Sequence, residues 1–492
     1  MAPYNACHGG TVGRRQDQGL IAHATTLLQK PGASRAERVC AKIAIDSDIN
    51  LIFSPNEVPN YYGRQQGELK PVCRIEPSTH AELVWVLEQL KHGRSPFSVK
   101  AGGHSMWPGA SNNDGGAVIS LRRLNQVEVA EDRKSVRIGA GATWKEVFDV
   151  IEPMGLLVVG GRMSTIGAGG FLLGGGIGWI THRHGSGVDA IMSFELAPPN
   201  GDENLYRVSQ DSNPALFRAL RGAGAANLAY MYSWDQAEEV TNIEMTHVAE
   251  DDEKDLDAMQ LSIYNYNATA DALTAMLYRI HTSHADLDTT PEVFNVSDKL
   301  TLLMPDSPQV QTHSENIDYA AQFAPPSGKR AYFATTSFRP STAITPEIVS
   351  LIGEFLRKAK DTAGENSANI QPLYRSFFTQ MKKRGGNCFN LANDTGPLLL
   401  FAYGATWEHT EDDDFMIESG KQLLEDFEAL TKKHNLFHPY KYVNYAAKWQ
   451  EQAVWEAYGE ENLRELRQLQ RELDPDQVFT KKGLFREYYK LN

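Results

Sequence analysis

The chain has 492 residues, of which 41% are hydrophobic and 10% aromatic, and its formal net charge is -14. This length exceeds what one hydrophobic core ordinarily serves, so we expect two domains. The negative charge repels phosphate backbones and anionic lipid headgroups, so we expect no nucleic acid and no membrane surface as partners. No segment reaches the roughly 20 consecutive apolar residues that span a bilayer.

The cysteines stand at positions 7, 40, 73 and 388, and these spacings indicate neither a zinc site nor a disulfide framework. We therefore predict no metal site, and a Cys7–Cys40 pair stays open only for an exported chain. The first residues lack a basic region followed by an apolar run, so no secretory signal is predicted. A reducing, cytoplasmic location is the resulting expectation.

Helices and short strands alternate through the first half of the chain. Capping boxes at Thr79–Glu82 and Thr143–Glu146 open helices that run to about His92 and Pro153. Two more helices are predicted at 17–30 and 36–45, and another near 215–220. The predicted strands lie at 72–75, 97–99, 117–121, 127–129, 136–138, 156–159 and 191–196.

The second half predicts an antiparallel sheet that carries helices. Its predicted strands lie at 260–264, 332–336 and 397–403, and its predicted helices at 270–282 and 346–360. A long helix is predicted at 451–473, ending before Asp474-Pro475.

Two segments are rich in glycine. Nine of the nineteen residues from Gly160 to Gly178 are glycine, and such a segment is destabilising unless the backbone must approach a ligand or adopt positive φ. The loop Lys100–Ser105 presents unhindered N–H groups beside His104, as an anion-binding nest does. One Gly-Gly turn is usually only a flexible turn, but two such segments in one domain predict the wall of a ligand site.

Several common catalytic motifs are absent. The sequence has no G-x-G-x-x-G fingerprint, no Walker loop and no H-E-x-x-H. His182 and His184 would point to opposite faces of a strand, so they predict no metal pair. His434 and His438 have i, i+4 spacing without a third ligand nearby, so an ordinary surface role is predicted.

One set of motifs extends in order along nearly the whole chain. Its members are Pro77-Ser78-Thr79, Phe97–Ser105, Asn113–Gly116, Gly160–Gly178, Gly385-Gly386-Asn387, Gly396-Pro397-Leu398 up to Trp407, Tyr442–Tyr445, Tyr458–Leu463 and Leu473–Phe479. Together they resemble the FAD-linked oxidases of the vanillyl-alcohol oxidase superfamily, and more closely the fungal type of its berberine-bridge-enzyme-like branch.

The resemblance implies an α+β fold. A two-subdomain FAD-binding domain of the PCMH type would occupy residues 1–235, and a substrate-binding α/β domain with an antiparallel sheet would occupy 236–430. Residues 431–492 would form a C-terminal segment that returns to the FAD-binding domain.

The resemblance also implies the cofactor and its ligands. His104 matches the histidine that is covalently joined to the flavin, and the backbone of Gly102, Gly103 and Ser105 would hold the pyrophosphate. The other predicted FAD-binding residues are Lys100, Ala101, Met163, Ser164, Thr165, Gly167, Gly170, Gly174, Gly175, Gly178, Asn444 and Tyr445.

Some positions depart from the family. Met163 stands where many members have a second flavin-linked cysteine, and a thioether cannot form that bond, so a single covalent link through His104 is predicted. Leu228-Ala229 replaces the usual Phe-Gly, and no glutamate in 396–407 clearly matches the berberine-type base. Tyr445 and Tyr442 are the candidate catalytic residues. A packing role is the alternative for both, and Tyr445 could act as a base only if its neighbours lower its pKa.

The implied reaction is hydride transfer from a small, hydrophobic natural-product substrate to FAD, with O2 as the reoxidant, in secondary metabolism. One alternative is a flavin-scaffold isomerase or cyclase without net oxidation. A carbohydrate or alcohol oxidase of the same family is another, which Met163 disfavours. A third is a degenerate flavoprotein that serves as a binding subunit. The oligomeric state is left open.

Overall fold

The computed structural model describes residues 18–55, 61–197, 206–213, 217, 230–251, 253, 255–267, 271–283, 291–297, 300–303, 311–322, 328–358, 366–391, 393–478 and 484–485. The small-residue segment around Leu228-Ala229 and, apart from Phe217, the helix predicted near 215–220 lie outside these residues. None of the described helices is both long enough and apolar enough to cross a membrane.

A four-stranded sheet forms the first layer, in the order β1-β2-β4-β3. These strands are β1 (Asn50–Phe53), β2 (Cys73–Glu76), β3 (Phe97–Lys100) and β4 (Ala117–Ser120), and β4 runs parallel to both β2 and β3. Helices α1 (Gln18–Gln29), α2 (Arg35–Asp46), α3 (Arg64–Gly67) and α4 (His80–His92) belong to the same part of the chain. Since β3 is the last strand in this order, its end and the loop that follows it lie at that edge of the sheet.

A disulfide joins Cys40 in α2 to Cys73 in β2, which corrects the expectation that no disulfide forms. The sequence could not reveal this pair, because 33 residues separate the two cysteines and only the packing of α2 on the sheet brings them together. Both cysteines are completely buried in the core of this layer, and Cys388 is a buried cysteine outside this disulfide.

A second group of short elements carries the glycine-rich segment. It contains the hairpins β5 (Val127–Val129) with β6 (Val136–Ile138) and β7 (Ser193–Leu196) with β8 (Tyr206–Ser209), and the helices α5 (Trp144–Ile151), α6 (Ala168–Leu173) and α7 (Thr181–His184). The capping box of Thr143 and Glu146 forms as predicted. The prediction that His182 and His184 lie on a strand is wrong, since both belong to α7.

The strand predicted at 156–159 is also wrong, because this stretch is a loop. The loop leads to Gly160, where an added Cβ would lie 2.5 Å from the Trp144 ring, and to Gly161, which meets the same indole. The chain therefore packs against α5 here and has no neighbouring strand to pair with.

The largest element is a seven-stranded antiparallel sheet in the order β15-β12-β14-β13-β10-β11-β9. In chain order its strands are β9 (Tyr230–Ser233), β10 (Ala258–Asn267), β11 (Ala272–His281), β12 (Arg330–Phe338), β13 (Asn366–Leu373), β14 (Leu398–Trp407) and β15 (Phe437–His438). The helices of this part are α8 (Ala237–Ala249), α9 (His313–Gln322), α10 (Thr345–Lys358), α11 (Arg375–Lys383) and α12 (Asp413–Lys433).

The helix predicted at 270–282 is a strand. Its residues include Ala, Leu and Met, which favour helices, but β11 pairs with β10 along ten residues, from Asn267↔Ala272 to Ala258↔His281. Long-range pairing here outweighs local propensity, as is common for strands that are buried on both faces.

The two faces of this sheet have different neighbours. On one face, the Tyr264 hydroxyl meets Thr241 of α8, the Tyr403 ring contacts Phe355 of α10, and Phe401 stacks on Phe427 of α12. Because side chains alternate along a strand, the residues between these face the opposite side. That side is turned toward the glycine-rich segment.

The C-terminal segment contains the long helix α13 (Glu451–Leu473), which bends at Gly459. Beyond it, Leu484 accepts a hydrogen bond from the Phe97 N–H, and the Phe485 ring packs against Phe97. The chain thus returns to the edge of the first sheet, beside β3.

Replacing Cys40 and Cys73 together by alanine is expected to lower the free energy of unfolding by about 3 to 4 kcal/mol, because the bond closes a loop of this length in the unfolded chain. Denaturant titration measures the loss, and Cys388→Ala is the control for removal of a buried thiol. Alkylation of both cysteines in denatured, unreduced protein would contradict the bond.

Candidate functional site

The two glycine segments meet backbone to backbone. A Cβ added at Gly102 would lie 2.8 Å from the Gly167 Cα, and one added at Gly167 would lie 2.8 Å from the Gly102 Cα. No side chain fits between them, so glycine is required at both positions for a steric reason. The contact brings the loop after β3 against the start of α6.

Both segments present backbone N–H groups at this contact. Those of residues 102–105 and those of Ser164, Thr165 and Gly167 have no hydrogen-bond acceptor among the described residues. Gly103, Ser164 and Gly167 are buried, and buried amides are nearly always paired in folded proteins. The free donors of these two touching segments, which we call the N–H cradle, are therefore suited to an anion such as a diphosphate.

His104 lies where the two segments meet. Its Nε2 is 2.9 Å from the Thr165 Oγ1, and its ring stacks on Tyr62 with the centroids 4.9 Å apart. Burial lowers the pKa of His104 to about 4. The imidazole is therefore neutral near pH 7 and keeps a ring nitrogen that can form a bond.

The remaining residues of the loop are fixed by their neighbours. The Lys100 ammonium lies 4.1 Å above the centre of the Tyr61 ring. The Ser105 carbonyl accepts a hydrogen bond from Gln66, and the Ser105 hydroxyl accepts one from the Trp107 N–H. Ala101 connects β3 to the loop.

The glycine-rich segment continues from the contact into α6. Ile166 donates to the Met163 carbonyl, and Lys145 donates to the Ser164 carbonyl, so this turn is held against α5. Gly175 has a φ of +103°, which favours glycine, and a Cβ at Gly178 would overlap the Gly160 carbonyl.

The C-terminal segment reaches the same place. A side chain at Gly174 would overlap the Asn444 amide, whose Nδ2 donates to the Phe171 carbonyl at 3.3 Å. The Trp107 indole, just after the His104 loop, donates to the Ala446 carbonyl at 3.0 Å. The structure thus brings together residues that lie more than 250 positions apart in the sequence.

Tyr442 and Tyr445 lie next to each other, with ring centroids 4.7 Å apart. Tyr445 also contacts Phe333 of β12 at 5.1 Å. Burial raises the pKa of Tyr445 to about 12, against the opposing effect of the Arg162 guanidinium. Burial raises the pKa of Tyr442 still further above its usual value. Both hydroxyls therefore carry their protons near pH 7.

Sequence reasoning missed Arg162. Its side chain is completely buried, and its Nη2 donates to the Gln371 Oε1 of β13 at 3.0 Å. Burial lowers the pKa of Arg162 to about 10, so the group remains charged at neutral pH. A charged residue inside a segment of glycine and apolar residues was the signal that could have indicated it.

The sheet face turned toward this region has no acid on β14. The residues of β14 that point to this face are Leu400, Ala402, Gly404 and Thr406. A Cβ added at Gly404 would lie 2.5 Å from the Phe333 ring. The sequence expectation that no glutamate serves as a berberine-type base agrees with this arrangement. The surface here is apolar, with amide groups from Asn369 and Gln371 of β13.

Gly102→Ala is expected to force the two segments apart, costing about 1 to 3 kcal/mol of stability and lowering the content of bound FAD. Thermal unfolding and the ratio of flavin absorbance to protein measure both effects. Gly170→Ala is the matched control for stability, since a Cβ there meets nothing within 4 Å. Equal effects of the two substitutions would contradict the contact.

Comparisons with known proteins identify the family. A family model described as an FAD binding domain matches residues 71–203. An FAD-dependent monooxygenase, tpcD, of Cochliobolus heterostrophus is 30% identical over 453 residues, which cover 85% of each chain.

Two solved structures share the fold. The 6-hydroxy-D-nicotine oxidase of Arthrobacter nicotinovorans has a TM-score of 0.71 at 18% identity, covering 90% of this chain and 98% of that one. The BBE-like 1 protein of Physcomitrella patens has a TM-score of 0.71 at 14% identity, covering 92% and 99%. The chain belongs to the family of FAD-dependent oxidoreductases that includes tpcD, and it has the fold of the berberine-bridge-enzyme-like proteins.

Proposed function

We propose that this FAD-dependent oxidoreductase is an oxidase that removes a hydride from a small, mainly hydrophobic natural product, with O2 as the reoxidant. The observation that carries the proposal is the N–H cradle beside the neutral imidazole of His104. The role of each residue named below is part of the same proposal.

The residues fit FAD. The N–H groups of residues 102–105 and of Ser164, Thr165 and Gly167 would hold the pyrophosphate, and they have no other acceptor among the described residues. His104 would form the single covalent link. Met163 lies on the facing segment, but its thioether offers no thiolate for a second link.

FAD supplies a two-electron acceptor that O2 can reoxidise. The chain supplies position and proton handling. Asn444 holds the C-terminal segment on α6, which fixes Tyr445 opposite Phe333. Tyr445 can donate a hydrogen bond to a substrate oxygen, and it accepts a proton only after losing its own, a loss that Arg162 favours.

The walls favour an aromatic or aliphatic substrate over a sugar. Phe333, Tyr445, Leu400 and Ala402 offer apolar contact, and the hydrogen-bonding side chains on this side include Arg162, Asn369 and Gln371. Carbohydrate sites need many hydrogen-bonding side chains, because buried sugar hydroxyls left unpaired are costly.

The name of the Cochliobolus heterostrophus relative favours a second candidate, a monooxygenase. The fate of oxygen separates the two. Turnover under isotopically labelled O2 is expected to release labelled peroxide and leave the organic product unlabelled, whereas label in the product would establish monooxygenation.

We also propose an oxidising compartment. Disulfides such as Cys40–Cys73 form and persist mainly outside the reducing cytosol, which argues against the cytoplasmic location expected from the sequence.

Acid denaturation of the wild-type protein is expected to leave yellow flavin on the polypeptide. His104→Ala is expected to release all of it, because no second link exists. Thr165→Val is the matched control, which removes the hydrogen bond to His104 but keeps the imidazole. Flavin that is retained by the His104 variant, or released by the wild type, would refute the single link.

Tyr445→Phe is expected to slow substrate oxidation by about 100- to 10,000-fold, the usual contribution of a positioned acid or base. Tyr442→Phe is the comparison, and a much smaller effect is expected because that ring is completely buried. Peroxide release during a screen of phenols and alcohols measures the rates. Equal, small effects of both substitutions would leave the two tyrosines as packing residues.

A further inference from the structure

Three side chains between the glycine-rich segment and the large sheet have more hydrogen-bond donors than acceptors. We call Arg162, Trp179 and Gln371 the donor cluster. Each is at most 2% exposed. The Nε and Nη1 of Arg162, the Nε1 of Trp179 and the Nε2 of Gln371 have no partner among the described residues.

The arginine also lacks a protein counter-ion in the described part of the chain. The groups that favour its charged form are the hydroxyls of Tyr445, Tyr442 and Tyr278, and the Trp179 ring lies 5.0 Å below the guanidinium. A buried cation without an anion is strongly destabilising, and so are four buried donors without acceptors. A bound molecule with a negatively charged oxygen would satisfy both.

The location of the donor cluster suggests which molecule supplies the anion. Arg162 precedes Met163, which lies beside the N–H cradle, and Gln371 lies on the sheet face turned toward the glycine-rich segment. Tyr278, which stacks on Trp179 at 5.3 Å, projects from the same face. Tyr445 is the partly exposed neighbour of Arg162, so the donor cluster lies buried behind the ring of the proposed catalytic tyrosine.

We propose that the donor cluster binds an acidic oxygen of the substrate, as a carboxylate, a phenolate or an enolate. This rests on the proposed function. The guanidinium is the group best suited to such an oxygen, because its planar fork can donate two hydrogen bonds at once. Arg162 is then a specificity-determining residue, and the substrate is an acidic, mainly hydrophobic molecule.

A pair of probes tests the charge requirement. Benzoate is expected to bind wild-type protein about 10- to 100-fold more tightly than benzyl alcohol, as expected for hydrogen bonds to a charged group. Flavin difference spectra report binding, and quenching of indole fluorescence reports it independently of flavin. Equal affinities of the two probes would overturn the proposal.

Substitution of the arginine tests its role. Arg162→Gln is expected to lose the preference for benzoate and leave the affinity for benzyl alcohol within about twofold, and Arg162→Lys is expected to keep part of it. Arg339→Gln is the control for loss of one positive charge, since Arg339 pairs with Asp394 outside the donor cluster. Unchanged benzoate binding in Arg162→Gln would overturn the proposal.

Two further outcomes are distinguishable. Sulfite addition to the flavin responds to positive charge beside the ring, so loss of sulfite binding with benzoate binding unchanged would assign Arg162 to the cofactor and overturn the proposal.

If the variants do not fold, binding of 4-nitrophenol to the wild-type protein tests the proposal instead. Its bound form is expected to lose its proton at lower pH than in solution, and a bound neutral phenol would overturn the proposal. A purified protein that contains no flavin but still prefers benzoate would contradict the proposed function and leave the anion-binding site standing.

Discussion

The site depends on the close approach of Gly102 and Gly167. This contact has no side chain in it, so it can form only if the loop after β3 and the start of α6 both lack a Cβ at one position. The N–H groups around this contact, those of residues 102–105, Ser164, Thr165 and Gly167, have no acceptor among the described residues.

A second constraint joins this cradle to the large sheet. Arg162 leaves the glycine-rich segment and meets Gln371 of β13, and Tyr445 from the C-terminal segment meets Phe333 of β12. Three distant parts of the chain thus converge between the cradle and the sheet. At the outer edge, Arg330 of β12 pairs with Glu68 and Asp413, which ties the sheet to the loop after α3. These contacts set the spacing across which a substrate would be held.

The sequence predicted much of this and missed the rest for physical reasons. Capping boxes and short apolar runs are local signals, so α4, α5 and the strands β2 to β6 were predicted close to their observed bounds, whereas β1 was missed. The β11 strand and the Cys40–Cys73 bond depend on partners far along the chain, and no local pattern encodes them. The motif resemblance identified the loop of His104 and the position of Asn444. It did not identify Arg162, because its importance comes from the absence of a partner, which only packing reveals.

Tyr445 keeps its proton and Arg162 keeps its positive charge beside a sheet strand, β14, that carries no carboxylate. The charge of Arg162 has no protein counter-ion among the described residues. Burial keeps the proton on Tyr445, although the Arg162 guanidinium favours its loss. A substrate that arrives already deprotonated resolves both problems. Its oxygen supplies the missing negative charge, and where that oxygen is conjugated to the carbon that loses hydride, as in a phenolate, the oxidation needs no protein base at that oxygen. An enzyme that acts on such a substrate does not require a carboxylate base on β14.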